Sequence, residues 1–149
     1  MYQKTTRRAA VHRNVSNSKD GKPTGKEAEA CRAGNRSGGA VAKILADSPW
    51  RVALVASSSW SHAFLTPKNH YLYPDNASDR ARFDELASGK LSRWRELSTA
   101  EIEDAGQQEF LNWVCLGGAM HALGREPEIV DYVENYIFNS DKCFALFRP

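Results

Sequence analysis

Residues 51–65 read RVALVASSSWSHAFL. Val52, Ala53, Leu54, Val55 and Ala56 form an apolar, β-rich run, followed by three serines, Trp60, Ser61 and His62. A short, near-continuous apolar run predicts a strand covered on both faces, the strand type of an α/β sheet. Such a strand, ending abruptly in small polar residues and a histidine, is how an α/β enzyme presents a chemical group at the carboxyl end of its sheet.

Working outward, Val41, Ile44 and Leu45 fall at helical spacing, and Ser48-Pro49 stops that helix. Residues 67–79 are rich in Pro, Asn and Asp and read as a loop. Residues 79–88 read as a short amphipathic helix with Phe83 and Leu86 on one side and Gly89 after it. Ser98 with Glu101 three residues on is a capping-box signature, and Gly106 ends the helix it opens. Residues 107–123 form the longest helical stretch, with Gly124 as its cap. Gly117-Gly118 inside it predicts close packing of this helix on a sheet. Trp60 and Trp113 read as core, and Trp94, between Arg93 and Arg95, as a partly exposed anchor. Residues 128–147 hold two β-rich runs around Asn139-Ser140-Asp141-Lys142, which predicts a terminal hairpin.

The first 39 residues differ from the rest. They carry nine Lys/Arg and three Asp/Glu, against 11 and 15 in the remainder, so the overall +2 joins a basic segment to an acidic domain. Large apolar residues are nearly absent there, and such a segment cannot bury enough surface to offset its ordering entropy. Residues 1–38 are therefore expected to be a disordered basic tail outside the fold, and residues 39–149 the domain. The tail has no aromatic interleaving, so no nucleic-acid partner is expected. The longest strongly apolar run, residues 110–120, is too short to span a bilayer, so no membrane partner is expected either. Cys31, Cys115 and Cys143 are odd in number and form no C-x-x-C pair, which points to a reducing compartment and a cytoplasmic location.

Two residues stand out for chemistry. His62 follows a strand end among small hydroxyl residues, where an imidazole can serve as a general acid/base near neutral pH or be merely structural. Glu109 opens an apolar helix with Trp113 and Leu116 on its face. A carboxylate there is either paired or metal-bound, or it is an exposed first-turn glutamate in the helix dipole. His12 and His70 lie in segments without ligand spacing. His121, 12 residues past Glu109, would lie roughly 18 Å away along a continuous helix. No G-x-S-x-G elbow accompanies the serines, which argues against a serine hydrolase.

The strand ending in Ser61-His62, the loop TPKNHYLYPD and the later GQQEFLNWVCLGGA together resemble the class III extradiol ring-cleavage dioxygenases, in the branch of the protocatechuate 4,5-dioxygenase β subunit. The likeness covers residues 40–147. It implies an α/β fold made of a partial sheet with flanking helices, the C-terminal half of that family's fold. It implies a catechol-type aromatic substrate, dioxygen, and an iron(II) cofactor held by two histidines and a glutamate. A homo-oligomer or a second subunit is the protein partner it implies. Ser61-His62 match the family's acid/base pair, so His62 is the expected catalytic residue, and Glu109 matches the expected metal ligand. The family's two histidine ligands come from a first half that this sequence does not match. The expected chain is thus a truncated or frame-disrupted relative. The alternative is a catalytically inactive fragment or partner subunit of the same fold.

Overall fold

The computed structural model describes residues 28–149, so the expectation for residues 1–27 lies outside the described residues. Among the described residues four α-helices, with short 3-10 turns between them, come first: α1 (Glu29–Ala46), α2 (Asn76–Ala87), α3 (Thr99–Asp104) and α4 (Leu111–Ala122). An antiparallel hairpin of β1 (Glu128–Val133) and β2 (Lys142–Leu146) follows. Helices with one small sheet make a partial α/β arrangement, as the sequence predicts at that level. Among the described residues no helix is long and apolar enough to cross a membrane.

Helix α1 begins at Glu29, so residues 29–38 belong to the fold and not to the expected tail. The reason is steric. A Cβ at Gly38 would lie 1.9 Å from the carbonyl oxygen of Cys115, and one at Gly118 would lie 2.2 Å from that of Asn35. The two helix backbones touch, and only glycine leaves room. Gly117 faces the Trp94 ring, which a Cβ would approach to 2.9 Å. The glycine pair expected to face a sheet therefore faces a helix and a tryptophan. Trp94 itself is fully buried, while Arg93 and Arg95 stay exposed, which corrects the expectation of a partly exposed anchor.

The core is aromatic. Phe110 meets Trp94 and Trp60 edge-on, with ring centroids 4.9 and 5.5 Å apart, and Trp60 meets Trp113 likewise at 5.6 Å. Such edge-to-face pairs are the favoured geometry for ring quadrupoles. Tyr132 of β1 stacks on Phe83 of α2 at 4.5 Å, which fastens the hairpin to the helices. The local signals hold. Ser98 accepts from the Glu101 N–H at 3.1 Å, and Glu101 accepts from the Ser98 N–H at 2.7 Å, closing the capping box. Gly106 and Gly124 both take left-handed φ, 67° and 64°, where their helices end.

The strand expected at residues 52–56 does not form. Residues 51–59 have no regular secondary structure, and among the described residues their backbone makes no hydrogen bond to another backbone group. Val52 and Val55 are 47% and 79% exposed. A strand exists only as one member of a ladder, and the ladder among the described residues joins β1 to β2 alone, with residues 52–56 paired to neither.

Candidate functional site

Ser61 and His62 sit where the irregular run enters the core at Trp60. Asp79, in the first turn of α2, is fully buried and accepts the Ser61 N–H at 3.1 Å and the Ser61 hydroxyl at 2.6 Å. Gln107 donates its side-chain amide to the same carboxyl at 2.5 Å. Asp141, in the turn of the hairpin, is also fully buried, and its charge acts on Asp79. Asp141 further accepts the Asn135 N–H at 2.8 Å and the Tyr132 hydroxyl at 3.4 Å. Two buried carboxyls that feel each other's charge resist being ionised together. Burial pushes Asp79 up to about 7 against the pull of its donors, the charge of Asp141 adding to the rise; burial raises Asp141 as well. This network ties the Ser61-His62 segment to α2, to the α3–α4 connection and to the hairpin.

His62 is held by its backbone too. Its N–H donates to the Gly106 carbonyl at 2.9 Å, and it pairs with Ser140 in a single antiparallel bridge. The next N–H, of Ala63, donates to the Asn139 carbonyl at 2.8 Å. Gly106 fits here because a Cβ would come within 2.6 Å of the His62 carbonyl oxygen. The imidazole is buried, and its Nε2 lies 3.2 Å from Oε2 of Glu109, whose side chain is half exposed. His62 Nδ1 is buried without a hydrogen-bond partner among the described residues. The hydrogen-bond pattern assigns the proton to Nε2, donated to Glu109, and leaves the Nδ1 lone pair unused. Two positions beyond Ser140, Lys142 donates its ammonium to the Ser140 hydroxyl and, at 2.8 Å, to that of Ser59.

Both expected site residues, 47 positions apart, thus meet directly. The other histidines do not join them. His12 lies outside the described residues. His70 is exposed in a left-handed run of Asn69, His70 and Tyr71, and His121 is exposed in the last turn of α4. Among the described residues no three His, Cys, Asp or Glu side chains group as metal ligands. Burial pushes the Cys31 thiol up to about 11 and the Cys143 thiol, with Asp131 adding, up to about 12, and it raises Cys115 too. Protonated thiols are poor nucleophiles and poor ligands. Asp79, Gln107, Ser140 and Asp141 were not readable as site residues. Each reaches the site through tertiary contact, with no spacing signal to join them to Ser61 or His62.

Fold and site together define a small helical domain with a β-hairpin that presents an imidazole–carboxylate pair. No protein-family model, no curated protein and no solved structure matches this chain.

Proposed function

We propose that this chain carries the second half of a class III extradiol-dioxygenase-type domain and retains that family's polar pair, His62 and Glu109. The observation that supports the reading is their 3.2 Å contact, made by two residues chosen from separate motifs. In the intact family the reaction opens catechol-type rings with dioxygen at iron(II). The donor set here does not fit that ion. A facial iron(II) site takes two imidazoles and a carboxylate. Here one imidazole and one carboxylate hydrogen-bond to each other, and no third ligand joins them among the described residues.

What the chain's own residues offer is acid/base chemistry. His62 can give up the proton its Nε2 shares with Glu109 and can take one only at the buried Nδ1, Glu109 holds the ring's orientation, and Asp79 with Gly106 fixes the segment that carries it. Alone, the chain acts as a non-catalytic fragment or partner subunit. The three cysteines, unpaired in the fold, suit a reducing, cytoplasmic setting.

The test is a titration of the protein with protocatechuate, followed through the imidazole NMR signals of His62, beside anaerobic dialysis against iron(II). The expected result is a response of the His62 ring that Glu109→Ala alters, with no stoichiometric iron and no ring cleavage. A silent His62 ring contradicts the family reading. Stoichiometric iron contradicts the conclusion about ligands. In a domain completed with the family's first half, Glu109→Ala should lose iron. His62→Ala should keep it and lose ~10² to 10⁴-fold in turnover, the usual contribution of a general acid/base.

A further inference from the structure

Residues 51–57, RVALVAS, combine three properties that seldom occur together. Their composition is that of a strand, their backbone has no backbone partner among the described residues, and their side chains are largely exposed. Open space flanks them on both sides. One groove, of about 890 Å³, runs between residues 52–56 and a wall that includes Trp113, Leu116, Phe144 and Leu146. A second, of about 490 Å³, lies between residues 54–57 and α1, at Gly38 and Val41. An uncovered row of N–H and C=O groups on an apolar segment is a template for strand pairing.

The sequence itself favours a second copy of this chain as the partner. In an antiparallel pair with its dyad at Leu54, Val52 lies opposite Ala56 and Ala53 opposite Val55. Arg51, the only charge in the run, lies opposite Ser57, so no like charges meet. No charged side chain then faces another charged one. A stable interface needs about 800 Å² from each partner, more than seven strand residues present alone. Trp50, at 78% exposure, and the half-exposed Phe144 on the rim of the larger groove supply further apolar surface. We propose that two copies of this chain associate through antiparallel pairing of residues 51–57 about Leu54. The proposal does not depend on the reading of His62 and Glu109.

Sedimentation of the full chain over a wide concentration range tests the stoichiometry, and disulfide trapping tests the register. The expected result is a reversible dimer. Leu54→Cys should trap it as a disulfide between the two introduced thiols under mild oxidation. Val52→Cys alone should not, whereas a mixture of Val52→Cys and Ala56→Cys chains should. Leu54→Pro should raise the dimer Kd about tenfold or more by removing an N–H and blocking the ladder. At concentrations where both proteins are monomers its far-UV circular dichroism should match that of the parent, because residue 54 belongs to no ladder within the chain; Val55→Lys gives the same readout without proline. The proposal is overturned by a monomer at all concentrations, by equal trapping at positions 52 and 54, or by a dimer indifferent to both Leu54→Pro and Val55→Lys.

Discussion

Residues 29–46 and residues 51–59 show opposite relations between hydrophobicity and burial. The first segment opens with Glu, Ala, Cys, Arg, Gly, Asn and Ser and has little bulk to bury until Val41. Yet it forms helix α1, and Gly38 brings it into backbone contact with α4. The second has the most strand-like composition in the chain and stays unpaired and exposed. Small residues can be buried by close approach, where dispersion acts over many short contacts. Large apolar residues are buried only if a surface exists to receive them. Burial is a property of a pair of surfaces, and neither segment's composition states what its partner is.

The largest effect should come from breaking the first member of the comparison. Gly38→Val places side-chain atoms where the Cys115 carbonyl stands, and the helices must separate. We expect a loss of about 3 kcal/mol or more in chemical denaturation, at the upper end for overpacking. Gly118→Ala, against the Asn35 carbonyl, should follow with roughly 1 to 3 kcal/mol.

Next comes the buried carboxyl pair, which joins the site to the hairpin. Asp79 is raised in the fold to about 7 from an ordinary 3.8. Between these values the folded chain binds a proton that the unfolded chain has lost, so stability falls as pH rises from about 4 to about 7. Asp79→Asn should flatten that slope, by an amount on the order of a few kcal/mol across the window. Unfolding curves at both ends of the window measure it, and an unchanged slope would assign the dependence to other groups.

The smallest effect should come from the second segment. Val55→Thr, at a side chain 79% exposed, should change the stability of the isolated chain by less than about 0.5 kcal/mol. A cost like that of a core valine would mean that residues 51–59 are packed after all.

Features set by neighbours in sequence were legible. The Ser98–Glu101 capping box and the stops at Gly106 and Gly124 depend on residues a few positions apart and form as read, and a terminal hairpin forms too, though its connection spans residues 134–141 and Lys142, expected in the turn, opens β2. Of the site, His62 and Glu109 were found as single residues through motif likeness, and the structure brings them together. Asp79 was read only as the start of a helix. Its bonds to Ser61 and Gln107 span 18 and 28 positions and follow no periodicity. The strand at residues 52–56 failed for the same reason in reverse. Its local signal is strong, but a ladder needs a second strand, and local signals cannot supply one.

Amide hydrogen exchange, residue by residue and at the lowest workable protein concentration, tests this contrast most directly. Amides of α1 within residues 33–45 should be protected to a degree close to those of α4, while those of residues 51–59 exchange near the rate of an unfolded chain. Rapid exchange through α1, or protection of residues 51–59 matching that of β1 and β2 in the monomer, would contradict it.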